Sequence, residues 1–340
     1  MKGLVLRGLG GPLELAELPR PEPGPGEALV RVVACGLCHT DLHYLDHGVP
    51  TAKRPPLVLG HEISGVVEGH GPGTVGLPEG TAVLVPALLP CGHCDYCRTG
   101  RENLCPEARM PGNHFDGGFA DYLAVPAKDL VPLPPGIDPV AGSVIADALT
   151  TPYHAVVERA GVRPGERVAV VGCGGVGINV VQFAVACGAE VIALDVSDAK
   201  LEIARTLGAQ LTLNPRTQAE PAKELRRRLG DGVEAAFEVV GRPETIALSL
   251  SLLRRGGRLC LVGYSAEPAV LPANRTMFFE HTILGSLGCP VAAYPRVIEL
   301  VRQGKVRLDP VVSRRLPLAR YEEALKALRA GEGFRSVLMP

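Results

Sequence analysis

From Arg167 to Asp195 the chain reads RVAVVGCGGVGINVVQFAVACGAEVIALD. A short β-branched run ends at Gly172, a long apolar run with few polar breaks follows, and a second β-branched run closes on Asp195. The turn is Gly172-x-Gly174-x-x-Gly177, with Gly175 and Val176 inside it. Alone that pattern is weak; after a strand and at the start of a helix it has a mechanism. Glycines permit the tight turn and let backbone N–H groups approach a pyrophosphate at the positive end of the helix. Asp195 ends the next strand, where a carboxylate can accept both ribose hydroxyls of NAD and would repel the 2′-phosphate of NADP. Lys200, a helical turn further on, could reach the same ribose.

The rhythm continues. Strands are expected at 167–172, 190–195, 233–241 and 257–263, and helices at 175–188, 197–209, 219–230 and 243–253. Repeated βα units imply a doubly wound parallel sheet and an α/β class. The preceding part reads differently. Short β-branched runs at 27–36, 63–69, 81–86 and 120–126 are punctuated by Gly/Pro clusters, as in a small barrel. After about residue 290 come two helices, 292–304 and 319–331, and a last strand in RSVLMP.

Four of the ten cysteines fall in CGHCDYCRTGRENLC, Cys91 to Cys105. A disulfide staple, a zinc knot and a redox site compete for them. The N-terminal stretch has acidic and proline-rich breaks in place of a signal peptide's apolar region, and no run of about 18 apolar residues exists. A soluble, cytoplasmic protein is expected, and in a reducing compartment clustered cysteines are more often metal ligands than disulfides. A formal net charge of −1 gives no reason to expect a nucleic-acid or anionic-membrane partner. CGLCHTDLHYLDHG (35–48) and GHEISG (60–65) add Cys, His and Glu, and a thiolate and an imidazole with an open fourth position are what a catalytic zinc needs. Cys35-x-x-Cys38 could also be a redox pair, although no thioredoxin-like pattern surrounds it. The isolated cysteines, such as Cys187, read as small buried hydrophobes.

Over essentially its full length the chain resembles the zinc-containing alcohol dehydrogenases of the medium-chain dehydrogenase/reductase superfamily. The resemblance rests on CGLCHTD, GHEISGVV, CGHCDYCRTGRENLC, GGFADYLAVP, GCGGVG with Asp195, and FRSVLMP. It implies a GroES-like β-barrel catalytic domain over 1–148, with a structural zinc lobe at 91–105, a Rossmann-type NAD domain over 149–288, and a return to the catalytic domain over 289–340. It implies NAD and two zinc ions per chain. Cys91, Cys94, Cys97 and Cys105 would hold the structural zinc. Cys38, His61 and Asp147 would hold the catalytic one, with Glu62 close behind and Asp41 orienting His61. Thr40 and His43 would form a proton relay. Val262 and Gly263 would hold the nicotinamide carboxamide, and Arg335 would bind the pyrophosphate, with His39 where some relatives place a phosphate-binding arginine.

The implied reaction is reversible oxidation of a primary or secondary alcohol to an aldehyde or ketone, by hydride transfer from a zinc-held alkoxide, in a homo-oligomer, tetramer or dimer. Dehydrogenation of an alicyclic hydroxyacyl-CoA ester is the runner-up, and threonine or a polyol a further option. A zinc-free NADPH-dependent quinone or enoyl reductase would lack the cysteine lobe and the Cys38/His61 pair. A non-catalytic, redox-sensing NAD-binding protein would have no use for an open metal position. Ala87 stands where some relatives carry a bulky aromatic, which suggests a roomier pocket.

Overall fold

The computed structural model describes residues 1–218 and 220–340. The chain divides into two compact units. The first comprises Met1–Thr150, Gly288–Gly304 and Leu308–Pro340; the second comprises Thr151–Leu287 and Lys305–Arg307. The C-terminal return thus leaves three residues in the second unit. Gln182 holds them, donating to the Arg307 carbonyl at 3.1 Å and accepting from the Arg307 N–H at 2.8 Å.

The second unit is built on a six-stranded sheet whose strand pairs are all parallel. In chain order the strands are Arg167–Val171, Glu190–Leu194, Leu211–Leu213, Val233–Glu238, Leu253–Leu261 and Thr282–Gly285. They lie side by side in the order 3-2-1-4-5-6. Parallel strands covered on both faces must be apolar throughout, and Ala169, Val171, Ile192, Leu194, Val233, Ala236 and Leu259 form one buried cluster. The order reverses between Arg167–Val171 and Val233–Glu238, and ligands of such sheets bind beyond the strand ends at that reversal.

Three details depart from expectation. Leu253–Leu261 begins four residues before the expected 257, with a register shift where it meets Val233 and Ala235. Its opening Arg-Arg-Gly-Gly hides a strand from any hydrophobic pattern. The helix expected over 219–230 runs Pro221–Leu229; Ala219, where the expected span begins, lies outside the described residues. The short helix Ala273–Phe278 and the strand Thr282–Gly285 had no clear sequence signal.

In the first unit, the eleven-residue strand Glu27–Leu37 pairs with three others: Glu62–His70, Tyr122–Pro126 and Arg335–Met339, all antiparallel. Ala82–Val85 and Val131–Pro132 extend this sheet on one side and Val312–Pro317 on the other. A second sheet joins Leu13–Glu17, Lys2–Leu6 and Leu57–Val58. The register sets Gly36 opposite Glu62 and Leu37 opposite Ser336. Strand pairing therefore gathers Cys38, His61, Glu62 and Arg335 from three distant parts of the chain. Gly36 has no room for a side chain, since a Cβ there would lie 2.1 Å from Glu62 Oε2.

Candidate metal centre and nucleotide site

Cys38 leaves the central strand and caps the helix His39–Asp46. Asp41, in the first turn, accepts the Cys38 N–H through Oδ2 at 2.9 Å, a stabilising place for a carboxylate. His61 immediately precedes the strand Glu62–His70, and Asp147 ends the 3₁₀ turn Ser143–Ala146. The three side chains meet. Asp147 Oδ2 lies 3.9 Å from Cys38 Sγ and 3.7 Å from His61 Nε2. Donors sharing a tetrahedral zinc at about 2.0–2.3 Å stand about 3.4–3.6 Å apart, so these are slightly open edges of such a site.

Charge supports the same fit. Cys38, Asp41, Glu62 and Asp147 crowd a buried space in which Arg335 is the balancing cation. Burial opposes a charge on His61, yet Asp147, the Cys38 sulfur and Asp41 hold its imidazole well above the ordinary value. Asp41 Oδ1 is buried without a hydrogen-bond partner, 3.8 Å from His61 Nδ1. Asp41 therefore stands beside His61, while its Oδ2 accepts from the backbone of Cys38.

Arg335, expected to bind the pyrophosphate, is a side chain 2% exposed. Its Nε donates to both Glu62 oxygens at 3.0 and 3.2 Å, and Nη2 lies 3.6 Å from Cys38 Sγ. Burial pushes Glu62 up to about 7, against the pull of Arg335 and aided by the charge of Asp147. Glu62 is thus held by Arg335 while Asp147 faces Cys38 and His61.

Sequence reasoning missed Tyr294. Its buried hydroxyl donates to the Ala146 carbonyl, next to Asp147, and accepts the Ala87 N–H at 3.3 Å. Thr150 Oγ1 donates to the same carbonyl at 3.2 Å. No local pattern signals a link across 148 residues.

Thr40 Oγ1 lies 3.7 Å from Cys38 Sγ, beside the donor set. His43, on the same helix, is half-buried, and burial with the charge of His47 lowers its imidazole below the ordinary value. His39 is exposed at the helix start. Cys35 is a buried thiol pushed well up by burial, whereas a redox pair uses a lowered one.

The four lobe cysteines are also free thiols, and their sulfurs lie within 4.8 Å of one another. Cys97 Sγ stands 3.9 Å from Cys91 Sγ and 3.5 Å from Cys94 Sγ. A disulfide needs about 2.05 Å, whereas four thiolates about 2.3 Å from one zinc have edges near 3.8 Å. Backbone N–H groups of His93 and Cys94 point at Cys91 Sγ and pull its thiol down to about 6. Partial burial and the neighbouring thiols push Cys97 up to about 12. The sulfur spacing, close to that of a four-thiolate tetrahedron, is what fits the donor set to zinc.

In the second unit the glycine turn lies between Arg167–Val171 and the helix Gly177–Ala186. Gly172 has φ +95°, and a Cβ on Gly177 would lie 1.8 Å from the Gly172 carbonyl. A Cβ on Gly174 would meet no atom within 4 Å, so space is open where a pyrophosphate would approach. Gly175 accepts a hydrogen bond from Asn179 at 2.9 Å, and Val176 precedes the helix. Asp195 accepts the Cys173 N–H at 2.7 Å and the Ser197 N–H at 2.9 Å. It therefore fastens the glycine turn to the next helix start, and each oxygen retains a lone pair. Lys200 lies on the helix Asp198–Thr206. Val262 and Gly263 both donate to the Glu238 carbonyl, at 2.9 and 3.1 Å.

Comparison with known proteins agrees. Residues 24–135 match the alcohol dehydrogenase GroES-like domain and residues 175–303 the zinc-binding dehydrogenase family. An alcohol dehydrogenase of Geobacillus stearothermophilus is 37% identical over 90% of each chain. A solved NAD-dependent alcohol dehydrogenase superposes with TM-score 0.93 at 35% identity, covering all of both chains. A protein from Sinorhizobium meliloti 1021, described as a zinc-binding dehydrogenase and solved with NADP, superposes with TM-score 0.90 at 32% identity, covering 100% of this chain and 99% of the other. With both domains matched in order along one chain, this protein belongs to the zinc-type alcohol dehydrogenases of the medium-chain dehydrogenase/reductase superfamily, a family of oxidoreductases.

Proposed function

We propose that this chain is an NAD-linked alcohol dehydrogenase that interconverts a primary or secondary alcohol with its aldehyde or ketone. The observation that carries the reading is the convergence of Cys38, His61 and Asp147 around one buried point. Those three residues would hold a catalytic zinc, and Cys91, Cys94, Cys97 and Cys105 a structural one. When bound, the catalytic zinc supplies Lewis-acid polarisation of a substrate oxygen, and the nicotinamide supplies the hydride acceptor.

The chain's own residues do the rest. Thr40 Oγ1 accepts the alcohol proton and hands its own outward. His43, neutral at pH 7, receives a proton at a ring nitrogen and passes it to solvent. Arg335 keeps Glu62 ion-paired, which leaves Asp147 as the carboxylate donor. Asp195 selects an unphosphorylated ribose, because a phosphate dianion beside it would meet like charge. The Gly172–Gly177 turn offers backbone to the pyrophosphate. A second copy of the chain completes the molecule in solution.

The test is metal content with a substrate screen. Two zinc ions per chain are expected, with NAD reduction on primary, secondary or cyclic alcohols. A single zinc, a strict requirement for NADP, or turnover confined to L-threonine or hydroxyacyl-CoA esters would overturn the corresponding part.

A further inference from the structure

His39, His43 and His47 recur every fourth residue along the helix His39–Asp46 and its C-cap. Residues four apart share one helix face, and two histidines so spaced are the chelating pair of helical zinc sites. Here the last two meet. The rings of His43 and His47 have centroids 5.7 Å apart at an interplanar angle of 41°. Two imidazoles bound to one ion at about 2.1 Å and a tetrahedral angle would have centroids about 5 Å apart. The observed separation is close to that spacing.

The backbone keeps the pair together. His47 caps the helix at φ −111° and ψ −1°, and Val49 N–H donates to the His43 carbonyl at 3.0 Å. Asp46, between them, is committed elsewhere: both its oxygens accept from Arg329, at 2.6 and 2.9 Å. That clamp anchors the helix end and takes the Asp46 carboxylate away from the pair. His47 is exposed and His43 half-buried, so an ion can arrive from solvent, with water completing its shell. Imidazole suits zinc, nickel and copper.

We infer that His43 and His47 form an accessory site for a divalent transition metal, distinct from the two zinc sites, and that its occupancy inhibits the enzyme. Inhibition rests on the reading of His43 as the outer end of the proton path: a ring nitrogen bound to an ion takes up no proton. Excess zinc, nickel or copper would then block proton exit without displacing the catalytic or structural metal.

The experiment uses the holoenzyme, freed of loosely bound metal, with Zn²⁺ or Ni²⁺ added back while metal content and turnover are followed. The wild type should take up a third ion per chain as turnover falls. His47→Ala should keep its basal turnover and lose the third ion. Losing a partner that merely supports a metal ligand already weakens binding about 10–100-fold. Losing one of two ligands should therefore raise the inhibitory concentration at least about tenfold. Ni²⁺ should also broaden the NMR resonances of both imidazoles in the wild type and leave that of His43 sharp in the variant. A wild type that takes up no third ion, or a His47→Ala enzyme equally sensitive to added metal, would overturn the site. A third ion that depends on His47 yet leaves turnover untouched would establish the site and refute His43 as the proton exit.

Discussion

Glu62 is fully buried, and Arg335 is its ion-pair partner. Removing one member of a buried pair strands the other, at about 3–5 kcal/mol, whereas replacing both is often close to neutral. Arg335→Met should therefore lower the denaturation midpoint sharply, and Arg335→Met with Glu62→Gln should recover most of it. A double variant no better than the single one would show that Arg335 matters for something other than Glu62. Tyr294 acts on the donor set more remotely. Tyr294→Phe takes one hydrogen bond from the Ala146 carbonyl and keeps the ring, and Thr150 remains as the second donor. We expect about a tenfold loss of affinity at the catalytic zinc with the lobe zinc retained, read by chelator competition; equal loss at both sites would point to general unfolding.

At the scale of elements, the lobe and the helices answer differently to change. Cys97→Ser opens a closed four-thiolate site, so zinc content should fall to one per chain and heat stability should drop before turnover does. The segment His154–Arg159 carries a pH signature. Burial, then the charge of Arg159, lower His154 to about 4 from its ordinary 6.5. The unfolded chain therefore binds the proton first. The contribution of His154 is intact above about 6.5 and lost as pH falls from there towards 4, at most about 3 kcal/mol. His154→Gln should flatten stability across that window, as urea midpoints between pH 7 and 4 would reveal. Legibility also divides by element. The glycine turn and the cysteine lobe could be read because their chemistry needs particular residues at fixed spacing. Asp147 stood out only by resemblance, since a single Asp in SVIADALTTP has no spacing to mark it. The Glu62–Arg335 pair spans 273 residues and exists only through the register of two strands on either side of Glu27–Leu37. Leu253–Leu261 was half-hidden because its opening Arg254, Arg255 and Gly256 are polar or lack a side chain and stand open to solvent, ahead of the apolar stretch that pairs on both sides.

For the molecule as a whole, the second unit ends in an open edge. Thr282–Gly285 is the last strand of the six, paired on one side with Leu253–Leu261. An open edge is a template for pairing unless charge, proline or a bulge blunts it, and Thr-Ile-Leu-Gly has no charge or proline. The residues just before and after this strand add apolar surface: Met277 and Phe278 are 64% and 74% exposed, Val270 87%, and Leu287 59%. A net charge of −1 opposes self-association only weakly. A second copy related by a two-fold axis would present the same edge and the same side chains, so one patch satisfies both partners. Light scattering should therefore find an even-numbered assembly at micromolar concentration. Met277→Glu with Phe278→Glu places four carboxylates across such a contact, and should yield monomers that keep both zinc ions. A wild type that is monomeric at tens of micromolar, or a double variant that assembles unchanged, would mean that this edge is covered by something other than a second copy of itself.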